Sequence, residues 1–224
     1  SSEFAEIPAG ISGGWDGYRG TPNLVHLFDF INNDSPMASQ IIDHRGIFFD
    51  KNRSIDITTS VTGTFTTEGW AVYKYTNMRS DGQAGSNTTF PDTDFPMFRL
   101  GDVYLMYAEA VARGGQGGSM DSAVSYVNAL RKRAYGDYLH AIDANWLQAN
   151  NYRNILDERG RELYWEGVRR NDLIRYGLFT SSNYLWTFKG GVLGGVGVDS
   201  RYNVFPIPTT DISVNANLHQ NEGY

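Results

Sequence analysis

Two neighbouring stretches in the middle of the chain carry apolar residues at helical spacing. The first spans residues 99–113 and is followed by Gly114, which predicts a helix with a glycine stop. The second begins after Ser119 or Asp121, either of which can cap it, and ends at Gly136. Two helices joined by a short glycine-rich loop form a helical hairpin. The predicted core stripes are Leu100, Tyr104, Ala108 and Val111 in the first helix and Ala123, Val127, Leu130 and Ala134 in the second.

A third helical pattern extends from Tyr152 to Tyr176 and contains two glycines, Gly160 and Gly167. Because glycine inside a helix costs up to about 1 kcal/mol relative to alanine, the pattern predicts close approach by another element at both positions. Opposite charges at i+3 or i+4 along this helix predict ion pairs. The predicted pairs are Asp157 with Arg161, Glu166 with Arg170, and Asp172 with Arg175.

Residues 1–96 have a weaker pattern, with short elements between turn signals. Helical spacing over residues 21–32 predicts a short helix, and loose alternation over residues 55–75 predicts a strand pair. The polar stretch 77–94 is long for a connector and predicts a functional or mobile loop. We therefore expect a mainly α fold with long loops and a small β element. A loop-rich segment to residue 96 and a helical region over 97–224 would form one structural unit.

Composition and charge narrow the function classes. With 224 residues, 41% of them hydrophobic, the chain is long enough to bury a sizeable core. A net charge of −6 provides no basic surface for a phosphate backbone, so nucleic acid is not an expected partner. The chain has no cysteine, and its four histidines show no zinc-binding spacing. We therefore expect no metal site and no cofactor. Asp92 and Asp94 could supply oxygen ligands to calcium, but without the pattern of a calcium loop a solvated loop is the default.

Three glutamates, Glu158, Glu162 and Glu166, stand four residues apart in the third helical pattern. Glycoside hydrolysis uses two carboxylates that flank the scissile bond. Residues at i and i+4 of one helix point the same way, and arginines lie near each acid in the sequence, which favours a structural charge network. We therefore expect no catalytic residues and no enzymatic activity, with a glycoside hydrolase as an alternative.

A tryptophan near the start of the chain is a candidate for ligand binding. Glycines on both sides of Trp15 leave it no regular element from which to pack. Tyr18 supplies a second ring, and Asp16, Arg19 and Asn23 offer hydrogen bonds nearby. Sugar recognition needs an apolar ring face beside such polar groups, although a tryptophan folded back onto the surface fits these residues equally well. The candidate ligand-binding residues are Trp15, Asp16, Tyr18, Arg19, Asn23 and Trp186.

Four motifs follow one another through the second half of the chain. They are Phe98–Ala110, Val127–Arg133, Ile155–Arg159 with Glu162, Glu166, Gly167, Arg169 and Asp172, and Phe205–Pro208 with Asn217–Asn221. In this order they resemble the SusD-like (RagB/SusD) family. The upstream segments Gly14–Tyr18 and Trp70–Tyr75 extend the resemblance over nearly the whole chain.

The resemblance implies tetratricopeptide-type helix pairs that support a loop-rich, glycan-binding face. It also implies non-catalytic capture of oligosaccharides or polysaccharides at the cell surface, for delivery to a SusC-like TonB-dependent outer-membrane transporter. Members of the family are longer, so the chain is expected to be a C-terminal half. The lipid anchor would lie on the N-terminal half, which would be a further partner. The resemblance favours a ligand-binding role for Trp15. The alternative function of the chain is a helical-repeat scaffold that binds another protein.

Overall fold

The computed structural model of the protein describes residues 18–59 and 67–224. Trp15 and Asp16 lie outside the described residues. The chain divides into two compact units, one ending at Arg169 and the other comprising Arg170–Tyr224. The regular structure is mostly helical with one small sheet, which confirms the predicted fold class. The elements are β1 (Arg19–Gly20), α1 (Pro22–Val25), β2 (Phe48–Phe49), β3 (Trp70–Val72), α2 (Leu100–Ala112), α3 (Met120–Tyr135), α4 (Ala144–Gln148), α5 (Arg153–Leu163), α6 (Arg169–Arg175) and α7 (Thr209–Val214).

The helical hairpin forms as predicted from α2 and α3. Ser119 caps α3 by accepting a hydrogen bond from the backbone N–H of Ser122, and Gly136 ends the helix in the left-handed conformation at φ 83°. The predicted stripe of α3 is buried throughout. Leu100 was wrongly placed in the stripe of α2, because it stands in the first turn and is 61% exposed. The shared core consists of Leu105, Ala108, Ala112, Ala123, Val127, Leu130, Leu147 and Ile155.

The third predicted helix is broken, so the prediction of one helix from Tyr152 to Tyr176 is wrong. The first part, α5, ends at Leu163, and α6 begins at Arg169. Tyr164 leaves the helix with φ −58° and ψ 145°, and its ring stacks on Phe48 with the centroids 5.8 Å apart. Packing against a distant aromatic residue therefore overrides the helical pattern at this position.

The two glycines of that pattern have different roles. A Cβ atom at Gly160 would lie 2.5 Å from Cδ1 of Leu27, so the expected close approach is confirmed there. The same expectation is wrong for Gly167, because a Cβ atom there would meet nothing within 4 Å. Gly167 instead has a positive φ of 75° in the connection between α5 and α6.

Gly160→Leu is expected to lower the free energy of unfolding by about 1 to 3 kcal/mol, because the added side chain overpacks the contact with Leu27. Thermal denaturation of the whole protein measures the effect. Ala129→Leu, on the exposed face of α3, is the matched control and is expected to leave the melting temperature nearly unchanged. Equal melting temperatures for the two variants would contradict close packing at Gly160.

A second core lies around a three-stranded antiparallel sheet of order β1-β3-β2. Within the described part of residues 55–75, the strand is β3, and its partners are β1 and β2 rather than a second strand of the predicted pair. The helix predicted over 21–32 shortens to α1, because Phe28 and Phe30 turn into this aromatic core. The buried residues of the second core are Val25, Phe28, Phe30, Phe48, Trp70 and Tyr164.

The polar stretch 77–94 folds around one buried side chain. Asn77 is 5% exposed, its Nδ2 donates to the carbonyl of Asn87, and its Oδ1 accepts from the backbone N–H of Asp92. The side-chain amide of Asn77 thus bonds two other points of the loop, one through its donor and one through its acceptor.

The unit Arg170–Tyr224 consists of short helices and turns held by a buried lysine. Nζ of Lys189 donates to the carbonyl oxygens of Leu178, Ser181 and Tyr184, which satisfies its three donors. Throughout the described ranges, the helices lack the length and apolar character needed to cross a membrane.

Candidate functional site

Two aromatic side chains meet at the surface of the first unit. Tyr18 directly precedes β1, and Trp165 follows α5. Their ring centroids are 5.5 Å apart and their planes are inclined by 84°. Tyr18 is 79% exposed and Trp165 is 42% exposed, so both rings present apolar surface to solvent. An edge-to-face arrangement is favourable for two aromatic rings.

The chain on both sides of Trp165 is anchored. The hydroxyl of Tyr164 donates to the carbonyl of Arg45, and the carboxylate of Glu166 accepts from Arg99. Between them the backbone N–H of Glu166 donates to the carbonyl of Leu163 at 3.1 Å, which closes a tight turn. This anchoring holds the intervening tryptophan at the surface.

The backbone of Trp165 is strained, with a φ of 65°. A left-handed conformation costs a residue with a side chain roughly 1–2 kcal/mol, and turns of this kind favour glycine or asparagine. Strain of this kind concentrates at functional sites. An exposed tryptophan held in an unfavourable conformation therefore points to a role for its ring outside the core.

The other predicted residues near Tyr18 are placed differently. Arg19 lies in β1 and its Nη1 donates to the carbonyl of Glu68 at 3.2 Å. Asn23 lies in α1 and is half-buried. Trp15 and Asp16 fall outside the described part of the chain. The grouping of these residues into one site therefore stays a prediction.

Trp165 was missed because the sequence pattern placed it inside a continuous helix. One signal was available, since Gly167 follows two residues later and glycine is a poor helix former. Interpreting that glycine as a helix end would have moved Trp165 into a turn.

Trp186 lies in the second unit and lines a cavity of about 470 Å³. Nζ of Lys189 is 4.5 Å from the centre of its ring, and Phe179 stacks on it with the centroids 5.8 Å apart. Both neighbours hold Trp186 in place and cover part of its surface. Other rings also line the cavity, among them Phe205, which is 71% exposed. A binding role for Trp186 stays a prediction.

The three glutamates form the centre of a charge network in the first unit. Glu158 is fully buried and accepts from Arg45 at 2.8 Å and from Arg131 and Arg161 at 2.7 Å. The three cations come from a loop, from α3 and from α5 itself. Glu158 thus links distant parts of the chain.

Glu162 and Glu166 extend the network around the C-terminal end of α5. Glu162 binds Arg45 at 3.0 Å, Arg99 at 2.5 Å and Arg133 at 2.6 Å. Glu166 binds Lys74 at 2.5 Å and Arg99 at 2.6 Å. The structural charge network favoured by the sequence therefore exists, with most of its cations supplied by other elements.

The ion pairs predicted within the helix are only partly correct. Arg161 binds Glu158 rather than Asp157, because the carboxylate of Glu158 is buried beside it. Asp157 faces Arg169 at the longer distance of 3.8 Å. The pair of Asp172 with Arg175 is confirmed at 2.7 Å.

The electrostatics of the network keep the glutamates ionised. Burial alone would raise the pKa of Glu158, but the guanidinium groups of Arg161, Arg45 and Arg131 outweigh it and lower the pKa to about 2. Burial would also raise the pKa of Glu162, but Arg133, Arg99 and Arg45 outweigh this effect and lower the pKa to about 2. A general acid needs a pKa close to the working pH, so these two carboxylates are unsuited to that role.

The part of the chain that the structure describes holds no group of three or more histidine, aspartate or glutamate side chains placed to bind a metal ion.

Comparison with known proteins gives consistent matches. The chain matches the model of the SusD family over residues 6–224. It is 46% identical over 158 residues to the starch-binding protein SusD of Bacteroides thetaiotaomicron, a match that covers 70% of this chain and 26% of that protein. It is 33% identical over 143 residues to SusD-like protein P25 of Formosa agariphila, covering 57% of this chain and 24% of that protein.

One solved structure shares the fold. The crystal structure of a SusD-like protein from Bacteroides fragilis superposes with a TM-score of 0.60 at 20% identity, over 94% of this chain and 48% of that one. The matched region therefore spans about a quarter of each curated relative and about half of the solved structure.

Proposed function

Starting from the fact that the chain belongs to the SusD family, we propose that it forms part of a protein that captures oligosaccharides without cleaving them. The observation that carries this proposal is the exposed aromatic pair of Tyr18 and Trp165. A pyranose ring has an apolar C–H face, and aromatic rings that are open to solvent are suited to stack on it.

The geometry of the pair supports contact with more than one face of a sugar. Because the rings are nearly perpendicular, a sugar stacked on Trp165 would have Tyr18 at its edge. Hydroxyl groups would be recognised by polar side chains near Tyr18, for which Asp16, Arg19 and Asn23 are the candidates. Trp15 would add a further stacking surface. Trp186, in the second unit, is a separate candidate for ligand contact.

A starch-type glucan is the first ligand class to propose. The relative with 46% identity is named for starch binding, and its match covers 70% of this chain. Since the matched region is about a quarter of that relative, part of the binding site would lie on the rest of the longer protein.

The expected cellular role follows from the family. The whole protein would act at the bacterial cell surface, held by a lipid anchor on its N-terminal part. It would pass captured oligosaccharides to a TonB-dependent outer-membrane transporter. The ionised state of Glu158 and Glu162 supports a non-catalytic role, because neither can act as a general acid.

A second candidate function, a scaffold that binds another protein segment, is favoured by one face of α2. Leu100, Val103 and Met106 recur every three residues on this helix and are 61%, 47% and 48% exposed. An apolar helix face of this kind suits packing by a further helix pair, such as one from the N-terminal half. This role is compatible with sugar capture.

Titration of starch oligosaccharides into the whole protein, with a reducing-sugar assay on the same samples, tests the proposal. We expect saturable binding heat and no increase in reducing ends. A panel of other neutral oligosaccharides extends the test to different linkages. Absence of binding throughout the panel would contradict sugar capture, and reducing ends whose release Glu162→Gln abolishes would identify a hydrolase.

A further inference from the structure

A cavity of about 350 Å³ lies beside the charge network of the first unit. Its volume is within the range of roughly 300–1,000 Å³ that is typical of small-molecule sites. The walls are strongly charged, and Ile47, Tyr75 and Pro96 add apolar surface between the charged groups. The charged residues that line it are Arg45, Lys74, Arg99, Arg133, Glu162 and Glu166.

The network around this cavity has more cations than carboxylates. The cations are Arg45, Lys74, Arg99, Arg131, Arg133 and Arg161, and they contact the carboxylates of Asp43, Glu158, Glu162 and Glu166. Burial lowers the pKa of Lys74, although its contact with Glu166 opposes this. Even without Lys74, the guanidinium groups outnumber the carboxylates. The local positive charge contrasts with the chain's net charge of −6, and low-dielectric walls strengthen its field.

Arg133 is the cation with the most unused hydrogen-bonding capacity. Its side chain is 55% exposed, and only Nη2 donates, to the two oxygens of Glu162. For Nε and Nη1 of Arg133 there is no acceptor within residues 18–59 and 67–224. Arg99, by contrast, uses all three of its nitrogens on Glu162 and Glu166. A cavity wall therefore carries a positively charged group that can still donate.

We propose that this cavity binds an oxyanion, such as the carboxylate of an acidic sugar, with Arg133 as the residue that contacts it. Guanidinium groups match the geometry of carboxylates and sulfates and remain charged at any physiological pH. The surplus positive charge offsets the repulsion between the bound anion and the carboxylates of Glu162 and Glu166. The inference is independent of sugar capture by Tyr18 and Trp165, because it concerns a different set of side chains and a charged ligand.

Three probes at low ionic strength test the proposal on the whole protein by calorimetric titration. Sodium glucuronate carries the acidic group on a sugar, sodium acetate carries it alone, and glucose lacks it. Arg133→Gln is the test variant. Lys132→Gln is the matched control, because it removes one positive charge from the neighbouring position of α3, which is exposed and bonded to Tyr138 outside the cavity.

We expect glucuronate to bind, and Arg133→Gln to weaken it about three- to fivefold or more while Lys132→Gln has a smaller effect. Added salt should weaken binding, since the attraction is electrostatic. Glucuronate binding more tightly than acetate would identify a sugar-borne anion, and equal affinities would identify a free anion; both support an oxyanion site. The proposal is overturned if neither anion binds, if glucose binds as well as glucuronate, or if the two variants respond equally. Melting curves of both variants check that the fold is retained.

Discussion

Glu158→Gln is expected to lower the free energy of unfolding by about 3 to 5 kcal/mol, the range for removing one partner of a buried ion pair. The variant keeps the shape of the side chain but removes its charge. Arg45 would still have Asp43 and Glu162 as partners. Arg131 and Arg161 are only 8% and 9% exposed, and these two buried charges would be left without a carboxylate partner.

Chemical denaturation measures this effect, with Asp157→Asn as the matched control on the same helix. Asp157 is partly exposed and faces Arg169 at 3.8 Å, so its substitution is expected to change stability by about 1 kcal/mol or less. A similar change in the two variants would contradict a central role for Glu158.

The pH dependence of stability gives an independent check on the network. The pKa of Glu158 is lowered from the ordinary 4.5 to about 2 in the folded protein. The unfolded chain therefore takes up a proton first as the pH falls. The stabilisation is fully present above about pH 4.5 and is lost progressively between 4.5 and about 2. Glu158→Gln should have a shallower loss of stability in this window, and an unchanged acid profile would contradict the assignment.

The parts of the fold that could be predicted from sequence are those governed by local interactions. The limits of α3 follow from the cap at Ser119 and the left-handed glycine at position 136, both of which act within one helical turn. Its core stripe follows from the helical period. Such signals are contained in neighbouring residues, so no knowledge of the tertiary structure was needed.

The break between α5 and α6 could not be predicted in this way, because its cause is distant in sequence. Tyr164 packs on Phe28 and Phe48 and bonds to the backbone of Arg45, more than a hundred residues earlier in the chain. The same limit applies to the ion pairs. Rules for i+3 and i+4 spacing do not include cations such as Arg99, which precedes α2 and binds Glu162 and Glu166 from there.

The candidate site likewise combines a residue that local sequence indicated with one that only the tertiary fold brings close. Glycines around Trp15 indicated an aromatic residue outside regular structure, and the nearby Tyr18 is exposed. Its partner, Trp165, lies on a turn that the helical pattern concealed. The aromatic pair joins positions 18 and 165 and depends on the tertiary fold.

Trp165→Ala is expected to weaken oligosaccharide binding at least about tenfold, or about 1.4 kcal/mol, with little change in stability. The ring is 42% exposed and contributes little to the core. Alanine at φ 65° carries backbone strain similar to that of tryptophan, so the folded state should not be altered by the backbone. Neutral sugars gain little from Coulomb attraction, and loss of the stacking face should account for most of the change.

Calorimetric titration of one starch oligosaccharide into the wild type, Trp165→Ala and a control variant, with a melting curve for each, tests sugar capture most directly. The control is Tyr138→Ala, which removes a 64% exposed ring on another surface segment. We predict about tenfold or greater loss of affinity for Trp165→Ala, wild-type affinity for Tyr138→Ala, and closely similar melting temperatures for all three proteins. Unchanged affinity in Trp165→Ala, or an equal loss in Tyr138→Ala, would contradict capture at the aromatic pair.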